Sequence, residues 1–338
     1  MTAGRTEGAG GCRRVDAAGA AALLADARRV LLLCHQKPDA DTLGCAFALY
    51  EALAARGAQV AVASPDGFPR RYAFLQPAGF SPLPPAGFCP QLVVAVDVGS
   101  PTLLGPLEAA WGGRVDLCID HHLSNPGYAR QLFLDPEAAS ATQLVAQVLD
   151  RLGVALTPSL ASCLYAGLAA DTGAFRYSNT TPEALRLGAR LLEAGAQGYQ
   201  ICQRLFAQKS RGRVEMERLV YNSLEFLAGG RLAVLVITQQ MMARTGVTED
   251  ELDGLAGIPR QVEGVQAALT FQQKGPRLWR LSARTSQALD ASAICARLGG
   301  GGHIRAAGAV LSGTLEQVRA RAEASARQAL REWEEATA

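Results

Sequence analysis

The sequence predicts a two-domain α/β protein in which a parallel-sheet domain is followed by a smaller α/β domain. Three observations lead to this fold class: short apolar runs alternate with helical patterns up to about residue 200, a stretch without strand patterns follows, and strand patterns then resume. With 338 residues, 49% of them hydrophobic and 19% charged, the chain is long enough to fill two cores.

The first domain, residues 15–200, is predicted from apolar runs that are too short for helices. Strands that are buried on both faces have this composition, and parallel strands need helical crossovers between them. A helical pattern at 42–57 separates the first two runs, and helical patterns continue from about 138 to 200. The predicted strands lie in the runs 28–35, 59–64, 91–99 and 115–122. Residues 1–14 have no such pattern, and we expect a disordered N-terminus there.

Residues 201–228 carry no strand pattern and are predicted to be a helical linker. Strand patterns return at 231–238, 265–273 and 277–285, before a glycine run and a long polar helix that starts near 314. Residues 229–338 are therefore predicted to be the second, smaller α/β domain.

Charge and cysteine usage narrow the classes of function. The net charge is +2, so any polyanion site has to be local. The eight cysteines are scattered without a C-x-x-C pair, which is typical of free thiols in a reducing compartment. The first 14 residues lack an apolar signal core, and no apolar run reaches the roughly 18 residues of a membrane span. We therefore expect a cytoplasmic protein without membrane contact, and a homodimer is compatible with the sequence.

Polar residues follow the predicted strands of the first domain. In an open parallel sheet, ligands bind outside the carboxyl ends of the strands, so these residues should converge. Crowded carboxylates repel one another unless cations neutralise them, and oxygen ligands with some imidazole suit Mn²⁺ or Mg²⁺. Two such ions hydrolyse phosphate esters by activating a shared water. The converging residues are His35, Asp39, Asp41, Asp97, Asp120, His121, His122 and Asp171.

Five motifs in this order carry a resemblance to a known family. The chain resembles the DHH phosphoesterase superfamily, and within it the NrnA branch of nanoRNases that also act as 3′-phosphoadenosine 5′-phosphate phosphatases. The motifs are HQKPDAD (35–41), VDVGS (96–100), DHH followed by SN (120–125), AADTGAFRYSNT (169–180) and GGGGHIRAAG (299–308).

The resemblance implies a role for each matching residue. His35 and Asp39 would bind one Mn²⁺, Asp97 would bridge the two ions, and Asp41, His121 and Asp171 would bind the other, with Mg²⁺ as the alternative metal. The implied catalytic pair is His122, beside the reacting phosphate, and Asp120, which orients a histidine. Two departures from the family pattern, Ala40 and Cys45, remove no ligand.

The implied substrate-binding residues are Arg284, Gly300, Gly301, Gly302, His303 and Arg176. Glycines let a backbone approach a phosphate closely, although a tight turn is the alternative explanation for this run. Arg176 and Tyr177 could help to position the substrate near the metals; alternatively, Arg176 could form a structural salt bridge and Tyr177 could be a packed ring.

The function that the resemblance implies is a Mn²⁺-dependent phosphoesterase using a bridging hydroxide. It would hydrolyse RNA oligomers of about two to five nucleotides to mononucleotides, because a longer strand needs an extended groove, and 3′-phosphoadenosine 5′-phosphate to AMP. The alternatives inside the superfamily are a phosphodiesterase for linear or cyclic dinucleotides, such as pApA or c-di-AMP, and a manganese inorganic pyrophosphatase. Outside the superfamily, DADTLG (39–44) matches the D-x-D-x-T signature of haloacid dehalogenase-like phosphatases, whose first aspartate is a covalent nucleophile. A non-catalytic nucleotide sensor is another alternative, but such a protein would have lost metal ligands, and no ligand position is lost here.

Overall fold

The computed structural model of the chain describes residues 11–82, 87–252, 254–286 and 288–337. The chain divides into two compact units, Met1–Gln208 and Lys209–Ala338. The division lies inside the predicted linker 201–228. Positions 1–10 of the predicted disordered N-terminus lie outside the described residues.

The described part of the first unit contains a six-stranded sheet in the order β1-β6-β5-β4-β2-β3, and every neighbouring pair is parallel. This confirms the predicted parallel sheet. The strands are β1 (Arg13–Arg14), β2 (Arg29–Leu33), β3 (Gln59–Ala63), β4 (Leu92–Val96), β5 (Leu117–Asp120) and β6 (Gln131–Leu134).

Two of these strands differ from the sequence-based expectation. Residues 13 and 14, predicted to be disordered, form β1 and pair with β6, which was itself not predicted. Strands of two and four residues are too short to show a period, and β1 is held by backbone hydrogen bonds such as that from Arg13 N–H to the Arg130 carbonyl at 2.9 Å.

Both faces of the sheet are buried, as the apolar runs predicted. Along β2, Val30 and Leu32 belong to one hydrophobic core, while Leu31 and Leu33 belong to the core on the other face. The first core packs against α2 and α5, which are buried along most of their length. The helices of this unit are α1 (Ala17–Asp26), α2 (Ala40–Ala55), α3 (Glu108–Trp111), α4 (Ala141–Arg151), α5 (Pro158–Asp171), α6 (Pro182–Glu193) and α7 (Gly198–Cys202).

Side-chain caps set where the longer helices begin. Each capping oxygen accepts a hydrogen bond from a free N–H of the first helical turn, and proline at the start of α5 and α6 fits because that position needs no donor. The caps of α1, α2, α4, α5 and α6 are Asp16, Asp39, Ser140, Thr157 and Thr181.

The segment 201–228 is not entirely helical, which corrects the prediction for the linker. A π-helix at Gln203–Ala207 precedes α8 (Arg211–Asn222), and β7 (Glu225–Leu227) follows as an edge strand paired antiparallel with β8 (Leu232–Ile237). Two of the three β7 residues are exposed, so no apolar pattern marked this strand.

The second unit is built on a mixed sheet in the order β11-β12-β10-β9-β8-β7, where only the β8–β9 pair is parallel within the described residues. The predicted smaller α/β unit is confirmed. Its further elements are α9 (Gln239–Thr245), β9 (Ala267–Gly275), β10 (Leu278–Thr285), α10 (Ala291–Ala296), β11 (Gly301–His303), β12 (Ala306–Ser312) and α11 (Leu315–Thr337). In both units, 3-10 helices cover Arg70–Leu75, Pro101–Leu107, Gly112–Arg114, Glu249–Leu252 and Leu255–Gln261.

The cysteines and the apolar character of the helices also bear on the predictions from the sequence. All eight cysteines are free, and most are buried, whereas Cys89 is exposed and Cys202 is partly exposed. Among the described helices, none combines the length and the apolar character that a membrane crossing requires.

Candidate metal centre

The polar residues predicted to converge lie together at the carboxyl edge of the first sheet. His35 follows β2, Asp97 follows β4 directly, and His121 follows β5. The start of α2 adds Asp39 and Asp41, and the end of α5 adds Asp171. Two three-residue groups have ligand atoms within 4.8 Å of one another: His35, Asp39 and Asp97, and Asp41, His121 and Asp171.

The two aspartates of the first motif are held by two different helix N-termini. Asp39 caps α2, and its Oδ1 accepts hydrogen bonds from the N–H groups of Asp41 at 2.9 Å and Thr42 at 3.2 Å. Asp41 reaches α4, where its carboxylate accepts from Ala141 N–H at 2.6 Å and Thr142 N–H at 3.0 Å. Helix N-termini attract negative charge, so both carboxylates have defined orientations.

Asp97 joins the two groups. Its Oδ2 lies 3.4 Å from His35 Nε2, and its Oδ1 lies 3.5 Å from His121 Nε2. The backbone of Asp97 is in the left-handed region, with φ 58°, where a residue with a side chain is strained. The strain is maintained by the hydrogen bond from Asp97 N–H to the Ile119 carbonyl at 2.9 Å. Thr42 also ties α2 to β4, because its hydroxyl donates to the Val96 carbonyl at 2.8 Å.

His35 and His121 both direct Nε2 toward the carboxylates. The Nδ1 of His35 lies 2.8 Å from the Gln36 carbonyl oxygen, and the Nδ1 of His121 lies 3.2 Å from the Ala138 carbonyl oxygen. A carbonyl can only accept, so Nδ1 carries the proton in both rings, and Nε2 of the neutral ring is free as a ligand. Metal-binding histidines use this arrangement.

Asp171 completes the second group. Its Oδ2 lies 3.3 Å from His121 Nε2, and Asp41 Oδ2 lies 3.9 Å from the same nitrogen. Asn179 supports the end of α5, since its side-chain N–H groups donate to the carbonyls of Asp171 and Ala139, both at 3.1 Å. Asp171 is therefore held from its main chain while its carboxylate faces the cluster.

The electrostatics of the ion-free cluster favour binding a proton or a cation. Burial, followed by repulsion from Asp97, raises the pKa of Asp41 to about 7, despite the two N–H donors of α4. Burial and repulsion from Asp41 raise the pKa of Asp171 to about 10. Burial opposes charge on His35, but its attraction to the carboxylates of Asp39 and Asp97 outweighs this and raises the pKa of His35 to about 11.

The residues fit divalent cations. Asp97 Oδ1 is buried and has no hydrogen-bond partner among the described residues, although an unpaired buried carboxylate oxygen is costly. Carboxylate oxygens and imidazole nitrogens at 3.3–3.9 Å are too far apart for strong hydrogen bonds, but they can bind a common ion.

His122 is held differently from His35 and His121. Its Nδ1 lies 2.8 Å from Asp120 Oδ1, and this hydrogen bond raises the pKa of His122. Asp120 is fully buried, and it also accepts from the Asn125 carboxamide at 2.6 Å and from His121 N–H at 2.9 Å. Burial would raise the pKa of Asp120, but these hydrogen bonds outweigh it and lower that pKa. Asp120 therefore remains a carboxylate that orients His122.

His122 also lies near Asp97 and His121, and these three residues form another group with metal-ligand spacing. Its Nδ1, however, is 3.6 Å from Asp97 Oδ1 and only 2.8 Å from Asp120. The side chain is also 45% exposed, against 15% for His121. The ring nitrogen of His122 that lies nearest Asp97 is therefore engaged by Asp120, and His122 is more open to solvent than His121.

The predicted substrate residues of the second unit lie on one sheet. Gly301, Gly302 and His303 form the exposed edge strand β11. His303 and Arg284 both pair with Ala306 of β12, one from each side. Residues in one row across a sheet point to the same face, so Arg284 and His303 share a face. Gly300 is required by packing, because a Cβ there would overlap the Gly308 carbonyl.

Arg176 does not form the salt bridge that was considered as an alternative, as far as the described residues extend. Its Nε donates to the Gly173 carbonyl at 2.6 Å, and its guanidinium lies over the Phe206 ring, 5.7 Å from the centroid. Tyr177 is 57% exposed, so it is not a buried packed ring.

Sequence reasoning missed several residues that shape the centre. Asn125 and Asn179 lie within the quoted motifs, but their partners Asp120 and Asp171 could not be identified from spacing. No role was predicted for Gly167, although a Cβ at this position would lie 2.5 Å from Asp41 Oδ1. A glycine in the middle of a predicted helix was the only available signal.

Comparisons with known proteins agree with this architecture. Residues 29–168 match the DHH family, N-terminal domain, and residues 229–335 match the DHHA1 domain. The bifunctional oligoribonuclease and PAP phosphatase NrnA of Thermus thermophilus is 35% identical over 292 residues, which cover 84% of this chain and 84% of that protein. The chain therefore belongs to the DHH family, and it carries the DHHA1 domain as its second unit.

Solved structures share the fold. An exopolyphosphatase-related protein from Bacteroides fragilis superimposes with a TM-score of 0.82 at 22% identity, covering 94% of this chain and 96% of that one. The exonuclease RecJ bound to manganese superimposes with a TM-score of 0.58 at 17% identity, covering 93% of this chain and 95% of that one. Family membership and a complete set of candidate ligands support the prediction that the chain is a metal-dependent hydrolase.

Proposed function

We propose that this DHH-family chain is a manganese-dependent phosphoesterase that hydrolyses short oligoribonucleotides to mononucleotides and 3′-phosphoadenosine 5′-phosphate to AMP. The observation that carries the proposal is the position of Asp97, with one carboxylate oxygen beside His35 and the other beside His121. A bridging carboxylate between two ligand groups is what a pair of cations for phosphoester hydrolysis requires. The relative named as an oligoribonuclease and PAP phosphatase supports the choice of substrates.

In this proposal, His35, Asp39 and Asp97 hold one cation, and Asp41, Asp97, His121 and Asp171 hold the other. Bound cations would lower the pKa of a water molecule and offset the charge of the phosphoester. The donor set of carboxylates and imidazoles suits Mn²⁺, and RecJ, which shares the fold, was solved with manganese. Mg²⁺ is the alternative, because it also prefers oxygen ligands.

His122 would act on the substrate. Its Nδ1 proton is held by Asp120, so Nε2 is the nitrogen left to contact a substrate. When protonated, Nε2 can donate to a phosphate oxygen or to the leaving oxygen as negative charge develops on it. The buried carboxylate of Asp120 stabilises the charged ring while this happens. The raised pKa of His122 keeps more of the ring protonated near neutral pH.

The second unit would bind the part of the substrate that does not react. Arg284 is a guanidinium that can form two hydrogen bonds to a phosphate, and His303 lies on the same face of the sheet. The edge strand β11 offers backbone N–H groups beside them. Binding energy collected there would align the scissile bond.

The test is a product time course with Mn²⁺ on end-labelled RNA of increasing length from the dinucleotide, beside 3′-phosphoadenosine 5′-phosphate, pApA and pyrophosphate. We expect dinucleotides and short oligomers to be hydrolysed fastest. Arg284→Ala and His303→Ala should lower kcat/KM on dinucleotides by about 2 to 4 kcal/mol, with far less effect on bis-p-nitrophenyl phosphate.

Arg280→Ala is the matched control. Arg280 lies on the same strand and face as Arg284, but it pairs with Val310, away from β11. Equal losses on both substrates would contradict the proposed substrate binding by Arg284 and His303. A preference for pyrophosphate would favour the pyrophosphatase alternative. Hydrolysis of pApA with little activity on other dinucleotides or on oligomers of three to five nucleotides would favour the dinucleotide phosphodiesterase.

A further inference from the structure

The loop that follows the candidate ligand Asp171 has an unusual backbone. Ala174 and Phe175 have φ values of 56° and 65°, in the left-handed region that side chains disfavour. The N–H groups of Arg176 and Tyr177 both donate to the Thr172 carbonyl, at 2.9 and 3.0 Å. A strained segment that is closed this firmly presents its side chains in defined directions, and such segments concentrate at functional sites.

The ring of Tyr177 is presented to solvent by this loop. The side chain is 57% exposed, although aromatic side chains of this size are usually mostly buried. The ring packs on Gly173 so closely that a Cβ at position 173 would lie 2.6 Å from Tyr177 Cε1. Gly173 therefore contacts the hydroxyl end of the ring, and more than half of the side chain stays accessible.

The main chain of Tyr177 lies beside a candidate ligand, because its N–H donates to the carbonyl of Thr172, the residue after Asp171, at 3.0 Å. Asn179, two residues further along, folds back to donate to the Asp171 carbonyl at 3.1 Å, so the loop returns to the ligand after passing through Tyr177. Leu123, which directly follows His122, is 84% exposed. Two exposed apolar side chains thus accompany a cluster of carboxylates and imidazoles.

The chemistry of these neighbours indicates which ligand they suit. Pyrophosphate and polyphosphate have no apolar surface and would gain nothing from an exposed ring. A nucleobase has a flat π-face, and stacking on an aromatic side chain tolerates any base. Arg176, which precedes Tyr177, donates from Nε to the Gly173 carbonyl at 2.6 Å, and its guanidinium lies over the Phe206 ring. An exposed ring and a guanidinium on the same loop suit a base attached to a phosphorylated sugar.

We infer that Tyr177 forms a base-stacking surface beside the metal centre, so that the first unit itself selects phosphoesters that carry a nucleoside. This inference rests on the proposed function for the reaction, and it names the substrate class that the same centre accepts. It makes Tyr177 a specificity-determining residue in addition to the binding groups on the second unit.

The experiment compares the wild type with Tyr177→Ala and Tyr177→Phe on pApA and on the same dinucleotide with abasic sugars. Tyr177→Ala should lower kcat/KM on pApA by about 5- to 150-fold, the range expected for one base–aromatic stack. The abasic analogue should change by less than about threefold, and Tyr177→Phe should retain nearly full activity, because the ring is kept. Tyr199→Ala is the matched control, since Tyr199 is 78% exposed in the same unit.

A binding measurement separates failure of this inference from failure of the proposed function. With Mn²⁺ present, Tyr177→Ala should weaken AMP binding in titration calorimetry by a similar factor, but leave inorganic phosphate binding unchanged. If the wild type hydrolyses no nucleotide yet binds AMP through Tyr177, the proposed function fails and the inference stands. If Tyr177→Ala leaves AMP and pApA unaffected, or weakens the abasic analogue and phosphate equally, the inference is overturned.

Discussion

Replacing Gly167 by alanine tests whether the position of Asp41 controls metal binding. Gly167 lies in α5, and an added Cβ would be 2.5 Å from both Asp41 Oδ1 and Thr142 Cγ2. Both neighbours are fully buried, so neither can turn toward solvent to make room. One methyl group would therefore press directly on a candidate ligand.

The magnitude follows from the overlap. Ordinary contact begins near 3.4 Å, so Asp41 or α5 has to move by roughly 0.9 Å. Asp41 Oδ1 accepts from Thr142 N–H at 3.0 Å, and displacing it breaks or bends that hydrogen bond. Overpacking of this kind typically costs about 1–3 kcal/mol of stability. Loss of a ligand's supporting contacts typically weakens metal binding by about 10- to 100-fold.

The assay is titration calorimetry of chelator-stripped protein with Mn²⁺, beside thermal unfolding of the ion-free form. Thr142→Ser in the Gly167→Ala background is the informative partner variant. It removes Cγ2, which relieves one of the three close contacts, and keeps the hydroxyl, which lies 2.8 Å from Ser140 Oγ and would also lie 2.8 Å from the added Cβ. We expect the double variant to recover part of its stability while its Mn²⁺ affinity stays low.

Two results would refute this reasoning. Wild-type Mn²⁺ affinity in Gly167→Ala would mean that Asp41 is not a ligand or that α5 moves away without cost. Recovery of metal affinity together with stability in the double variant would mean that general packing, and not the displaced carboxylate, weakened binding.

Two further predictions concern the cluster itself. In ion-free protein, the pKa values of Asp41, Asp171 and His35 lie above their unfolded values, so the folded form holds extra protons near neutral pH. Their stabilisation is present at low pH and is lost as pH rises toward those folded values, so the melting temperature with chelator should fall between pH 6 and 9. The stabilisation by Mn²⁺ should grow over the same range, because binding displaces protons; a rising ion-free melting temperature in differential scanning fluorimetry would contradict this. His121→Ala should reduce metal occupancy measured by elemental analysis, whereas His122→Ala should keep the ions and lose roughly 100-fold or more in kcat. Equal metal loss in both variants would show that His122 is also a ligand.

Much of the fold was predictable because its signals are long or repeated. The strands β2, β4 and β5 are continuous apolar runs, and the helices α4, α5 and α6 begin at side-chain caps. The strands β1, β6 and β7 were not predicted, because two to four residues show no period and their pairing depends on a distant neighbour. The extent of the helical linker was misjudged for the same reason.

The candidate metal residues could also be named from the sequence, because parallel strands bring their carboxyl ends to one edge. That rule states which side chains converge, but not how each is oriented. The sequence could not show that Asp41 is bound by the N-terminus of α4, a hundred residues away, or that Asn125 holds Asp120. It also left the choice between a packed and an exposed Tyr177 open.

Local patterns and short motifs were enough to predict the longer strands and helices, the family and the set of polar residues at the strand ends. The tertiary structure decided which carboxylate joins the two groups, which nitrogen of each histidine faces them, and which helix supports each aspartate. Those properties depend on distances of 2.6 to 3.9 Å between residues far apart in the chain, which no local pattern encodes. The close packing at Gly167 and Gly173 was also decided by the folded chain. Folding places Asp41 and Thr142 against Gly167, and the Tyr177 ring against Gly173, where a side chain would not fit.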